Sequence, residues 1–407
     1  MMKYLERHTK IDLSYLAHSV SWSLVGQLAS SLSAFALSLV ISRYVPLEVY
    51  GNYKYVISMV GLLGAFSLTG IGTALLQSVA RGYDGALIES FTASIRWSVA
   101  VFLGALALGA YYLLLGNSAL GIGFLLGGCF SPFISATNLY SSYLAGKQDF
   151  RRQAIYGGIV NSAVPSLALI VTALIAPRPI PIIAAYLISN LLANFYGYWQ
   201  TVRLYRPILD SRDSEMQKYA KHLSVIGILT TIANNIDQVL LFHYTSAVEL
   251  AIYNFATGLV DQSKGPLKTL DSMFQARFAT RTESEISGTM HNKYFWIFIA
   301  SIVAIAVYIP LAPLIYKILF PAYQVAVPYS QVYALSLAAF ALMPTTSYLV
   351  AKKHLKKQYL NTIFGSLLQV AIMAAGVIGW GLWGLIIARV ITRFSGSILT
   401  YYLYRHP

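Results

Sequence analysis

The chain has 407 residues, 57% of them hydrophobic and only 11% charged, with a formal net charge of +14. Globular proteins normally carry about a quarter of their residues as charge, so a water-soluble domain of this length is excluded. Its one cysteine, Cys129, sits in an apolar run, which excludes a disulfide framework and thiolate metal sites.

In chain order, Met1 to Ser19 has no small-residue cleavage site behind an apolar core, so no removable signal peptide is expected. Tyr4, Ile11 and Tyr15 would line one face of an interfacial helix, with frayed coil as the alternative. A bilayer core takes about 20 mostly apolar residues per helix. Runs of that kind lie at 17–43, 49–79, 92–115, 119–145, 154–176 and 180–202. After a polar break come 219–243, 249–272, 293–319, 325–350, 357–377 and 382–403, the last two being one run divided at Gly379-Trp380-Gly381. The expected fold class is an all-α polytopic membrane protein of about twelve transmembrane helices. Its 30 tyrosines and six tryptophans suit interfacial belts.

Odd-numbered connections, such as Gly116-Asn117-Ser118 and Ala176-Pro177-Arg178-Pro179, are short, and only Arg43, Lys54, Arg178 and Lys317 flank them. Even-numbered connections are basic: Lys147, Arg151 and Arg152; Arg203 to Lys221; Arg277 to Lys293; Lys352, Lys353, Lys356 and Lys357. The positive-inside rule then places both termini and the even loops in the cytoplasm. Topology accounts for the positive charge without a nucleic-acid partner.

The widest break, Arg203 to Lys221, contains Asp210 and Asp213, read as solvated charges, and divides the chain into lobes 1–207 and 208–407. The halves resemble each other at an offset of 200 residues: Tyr44 matches Tyr244, Tyr53 matches Tyr253, and Glu48 falls close to Glu249. Six helices separate the copies, which describes parallel repeats with a site, here a central cavity, expected between them.

Chemistry for covalent catalysis is missing. There is no Gly-x-x-x-x-Gly-Lys-Ser/Thr loop for ATP, and the seven histidines lack metal-ligand spacing. A membrane polysaccharide polymerase, the enzymatic rival, would show a sizeable external loop bearing Asp, Glu, Arg or His. No catalytic residue, metal or cofactor is expected.

Charges inside apolar spans cost roughly 2.5–3.5 kcal/mol even on insertion scales and often mark function. The eighth run carries Asn254, Thr257, Asp261, Lys264, Lys268 and Asp271 on one helical stripe, interrupted by Gly265-Pro266. Either this helix faces a lumen, or it ends near Val260 and the rest is loop. The twelfth carries Arg389 and Arg393 one turn apart. They form a cationic cavity wall for an anion, since Arg donates to phosphate in bidentate fashion, or a structural bridge to Asp237 or Asp261. Asn234, Asn235 and Asp237 lie two turns inside the seventh run. Asp237 is a candidate for proton or sodium coupling, with interhelical hydrogen bonding as the alternative. Lys54 either joins the cationic set or snorkels to the interface. Asn161, Asn190 and Asn194 are expected to tie helices together.

Several segments resemble the polysaccharide exporters of the MOP superfamily, in particular O-antigen flippases of the Wzx type. Tyr44-Val45-Pro46-Leu47-Glu48-Val49-Tyr50-Gly51-Asn52-Tyr53 is similar to the family's Leu-x-x-x-Glu/Asp-Tyr-Gly pattern. Asn235 to Leu241, Ala247 to Tyr253, and Gly379 to Gly384 look like its seventh helix, the start of its eighth, and its turn into the last. The resemblance implies a two-lobed exporter in the bacterial inner membrane that carries an undecaprenyl-diphosphate-linked repeat unit to the outer leaflet. It implies use of an ion gradient, with Na+ or H+ as coupling ion, and work beside a polysaccharide polymerase and chain-length machinery. In that frame Arg389, Arg393, Lys264, Lys268 and Lys54 are the cationic substrate contacts. Asp237 and Asp261 are the coupling acids, and Asn234, Asn235 and Asn254 the polar lining. The rival transporter reading is a cation-coupled drug exporter of the sister multidrug branch, which would need acids in its cavity.

Overall fold

A bilayer offers no water to bond exposed peptide groups, so a spanning segment must close its backbone hydrogen bonds on itself. The computed structural model describes residues 13–207, 213, 215–262, 270–271, 273–275, 277–278, 281–352 and 354–405. Among them the chain is helical, with short turns and no strand. The successive spans are α1 (Leu13–Tyr44), α2a (Leu47–Phe66) with α2b (Ile71–Ala80), α3 (Ala86–Leu114), α4 (Ser118–Gly146), α5 (Phe150–Ile175) and α6 (Pro179–Tyr205). Then follow α7 (Met216–Tyr244), α8 (Ala247–Gln262), α9 (Glu283–Leu319) and α10 (Pro321–Ala351). Last come α11 (355–379) and α12 (382–405), separated by non-helical backbone at Trp380 and Gly381.

Nine described helices are long and apolar enough to cross a membrane, and the bent pair α2a–α2b makes ten. The break at Trp380 and Gly381 divides the ninth of these, and α8, at 16 described residues, is a shorter addition. The expected eighth run reaches further, but its Lys264, Lys268 and Gly265-Pro266 lie outside the described residues. Asp271, the next acid along, accepts from the Ser347 hydroxyl and from Gln275.

The described residues form two compact units, within 12–239 and 240–407, divided inside α7. The internal repeat is visible in backbone detail. Helices end at Tyr44 and at Tyr244, and the next begin at Leu47 and at Ala247. Val45 N–H bonds to the Ile41 carbonyl and Thr245 N–H to the Leu241 carbonyl. Tyr44 and Tyr244 are 54% and 53% exposed, whereas Tyr53 and Tyr253 are buried.

Within the first unit, apolar burial centres on α2b, where Leu68, Ile71, Leu75 and Val79 pack with Leu139, Tyr143, Met216 and Ala220. Small residues let backbones close: a Cβ on Gly158 would stand 2.6 Å from the Gly26 Cα. Asn194 donates to the Asn161 side chain over 3.0 Å, joining α6 to α5 as expected. One expectation is corrected. Asp213 is not a solvated charge: it is 5% exposed, pairs with Arg81 and accepts from the Ser78 hydroxyl over 2.6 Å. A buried carboxylate needs such partners, and Arg81 at the end of α2b supplies one.

Candidate functional site

The densest polar group of the second unit is built from α8, α10 and α12. Arg393 on α12 donates to Asp261 on α8 over 2.8 Å. The same guanidinium lies over the Tyr333 ring, 4.4 Å from its centroid, and donates to the Tyr333 hydroxyl and to Ser336 Oγ. Tyr333 closes the triangle by donating to Asp261 Oδ1 over 2.9 Å. Tyr333 and Ser336 are buried, so the fork of Arg393 is held on three sides, while the Asp261 side chain keeps 41% exposure. α10 helps to make this possible. It tightens into a 3-10 stretch at Leu335–Leu342, immediately past Tyr333, and Ser336 lies in that stretch. Runs of 3-10 helix longer than three or four residues are uncommon, and mid-helix they mark a hinge or local strain.

One turn towards the start of α12, the Nε of half-buried Arg389 donates to the Tyr253 hydroxyl on α8 over 2.8 Å. The phenol fixes the side chain, so among the described residues Arg389, Arg393 and Asp261 gather in a largely apolar bundle. Asn254, also on α8, turns its amide back to the Leu250 carbonyl over 2.9 Å.

The remaining candidates belong to the first unit. Asp237 on α7 is fully buried. Asn235 donates to the Thr231 carbonyl and packs against Gly61 of α2a, where a Cβ would stand 2.8 Å from the Asn235 Oδ1. Asn234 is exposed. Lys54 lies beside the rings of Tyr50 and Tyr53, its ammonium 5.5 and 5.8 Å from their centroids. The structure therefore brings Arg389, Arg393 and Asp261 together, places Asp237, Asn234, Asn235 and Lys54 in the other unit, and leaves Lys264 and Lys268 outside the described residues.

Tyr333 and Ser336 escape a reading of the sequence, because a tyrosine and a serine in an apolar run carry no signal of their own. Tyr253 stands out there only as the repeat partner of Tyr53. The copies have diverged at this point: Tyr53 packs edge-on against Tyr186 at 5.5 Å, while Tyr253 receives an arginine.

The chain is similar to an inward-facing multidrug-resistance MATE transporter of the MOP superfamily, with TM-score 0.74 and 16% identity over 94% of this chain and 97% of that one. It is also similar to a MOP-superfamily transporter from Pyrococcus furiosus described as having a binding pocket of reverse polarity. That match has TM-score 0.68 and 16% identity over 96% of this chain and 94% of that one. At such identity the likeness is one of fold. No curated protein matches the sequence. The sequence profile described as polysaccharide biosynthesis protein matches residues 16–263, more than half of the chain. This multi-pass membrane protein, folded as the MOP-superfamily transporters are, belongs to the polysaccharide biosynthesis protein family.

Proposed function

We propose that the protein is a flippase that carries an undecaprenyl-diphosphate-linked oligosaccharide, an O-antigen or related repeat unit, from the cytoplasmic to the outer leaflet of the bacterial inner membrane. The observation that carries this reading is the pair of arginines one turn apart in an apolar span, each donating to a tyrosine hydroxyl, in a family of polysaccharide biosynthesis. Moving a diphosphate through hydrocarbon meets a Born-type penalty on the order of 20 kcal/mol per ion before relaxation. Guanidinium forks replace part of the lost hydration, while the polyprenyl tail stays in lipid. Asp237 is the candidate acid for coupling to Na+ or H+, and both termini lie in the cytoplasm.

A drug-cation exporter asks for acids at its site, and Asp261 is engaged by Arg393. The test is transport in proteoliposomes that carry the fluorescent glycolipid on one leaflet. The flippase reading expects flipping that is lost in Arg389→Ala at matched amounts of folded protein. Export of organic cations without glycolipid flipping would overturn it.

A further inference from the structure

The first unit holds a cavity of about 480 Å³ whose lining, among the described residues, contains no charged side chain. It opens where α2 breaks. α2a and α2b meet at 61° across four non-spanning residues, and Ser67 and Thr69 of that break line the space. The break is fastened from behind. Gly70 N–H donates to Ser224 Oγ on α7 over 2.9 Å, and a Cβ on Gly70 would stand 2.5 Å from that of Leu223. Within the break the Ser67 hydroxyl donates to the Gly64 carbonyl over 2.7 Å, which holds the turn in shape.

The facing wall is α4. Ser131, Ser135, Asn138 and Ser142 all line the cavity, and their spacing of four, three and four residues places them on one helical face. Gly72 on α2b keeps room for the last of them, since a Cβ there would stand 3.0 Å from the Ser142 Oγ. The Ser131 oxygen is buried and has no hydrogen-bond partner among the described residues. Buried hydroxyls are rarely left unsatisfied, so an orphan that lines a cavity marks the place of a missing polar partner. Tyr186 adds an aromatic ring to the lining.

This chemistry selects its ligand. Serine, threonine and asparagine side chains both donate and accept, which suits a ligand that does the same at many points. A diphosphate finds no counter-charge here, and a purely apolar tail would leave the Ser131 hydroxyl unpaired. The volume lies within the roughly 300–1,000 Å³ usual for small-molecule sites. We propose that this cavity is a carbohydrate subsite that takes the uncharged sugar portion of the transported lipid, an inference that rests on the flippase reading for the identity of that lipid.

The test uses the full chain in nanodiscs. Ser135→Cys is placed in a Cys129→Ala background, and maleimide labelling is timed with undecaprenyl diphosphate, bare or carrying a neutral disaccharide. The sugar-bearing lipid should slow labelling about tenfold more than the bare one, a difference of about 1.4 kcal/mol. Ser131→Ala should remove most of that difference at an unchanged melting temperature. Equal protection by the two lipids overturns the subsite, as does undiminished sugar-dependent protection in Ser131→Ala. Flipping of the glycolipid without sugar-dependent protection overturns the subsite and leaves the flippase standing. Protection without flipping keeps the subsite and removes the flippase.

Discussion

Arg389 and Tyr253 meet across α12 and α8 through a single 2.8 Å hydrogen bond from guanidinium to phenol. The contact orients the guanidinium at a fixed place in the span. Export per folded molecule should be abolished in Arg389→Ala and partly retained in Arg389→Lys, where charge survives but bidentate geometry does not. Tyr253→Phe should fold normally and export several-fold more slowly. Normal export by Arg389→Ala at matched expression would falsify the anion-holding role.

Arg393 and Asp261 form a bridge whose loss should register in stability. Breaking a fully buried pair costs about 3–5 kcal/mol. The Asp261 side chain is 41% exposed, and Tyr333 still donates to it once Arg393 is gone. We therefore expect Arg393→Ala to cost about 1–2 kcal/mol after solvent screening. The double variant Arg393→Ala/Asp261→Ala should cost less than the sum of the single changes. Melting of the detergent-solubilised proteins measures this cycle, and strictly additive costs would show that the bridge contributes nothing.

Asp237, fully buried in α7, is the residue to test for ion coupling. Asp237→Asn should keep the protein abundant and flatten the dependence of transport on the proton or sodium gradient. Unchanged gradient dependence at normal transport would remove the residue from the mechanism.

Asp149 heads α5 outside the spanning segments. Burial alone would raise its carboxyl, but hydrogen bonds from Tyr205 and Arg152, with the Arg152 charge, hold it below the usual carboxylate range. A depressed pKa contributes stability that is present above the unfolded value of about 3.9 and is lost as pH falls through the folded value. Asp149→Asn should therefore cost on the order of 1 kcal/mol of stability at neutral pH after screening, read as a lower melting temperature. That gap should close in acid below the folded pKa. A gap independent of pH would assign the effect to packing.

Gly384 crosses Gly376 at the hairpin between α11 and α12, where a Cβ would run into the Gly376 carbonyl oxygen. Gly384→Ala must push the helices apart at a backbone contact. The folded fraction in membranes, followed by gel filtration of a fluorescent fusion, should fall severely. Wild-type yield would mean that the hairpin tolerates a wider crossing.

Helix positions were legible in the residues because spanning is a local contract with lipid. Each apolar run satisfies its own backbone, so hydropathy alone marks α1 to α12, and turn residues mark the break at Trp380 and Gly381. The repeat was legible too, since the turns after Tyr44 and Tyr244 carry similar residues and close the same hydrogen bonds. The rotation of each helix about its axis was not. A run apolar on every side shows no preferred face, and lipid provides no hydrophobic drive to orient one helix towards another. Choosing Asp261 rather than Asp237 as partner for Arg393, enlisting Tyr333 and Ser336, burying Asp213 against Arg81 and turning Ser131 into a cavity are decisions of packing between distant segments. The stripe Ser131, Ser135, Asn138, Ser142 was present as spacing, but only the bend of α2 in front of it leaves space for a ligand.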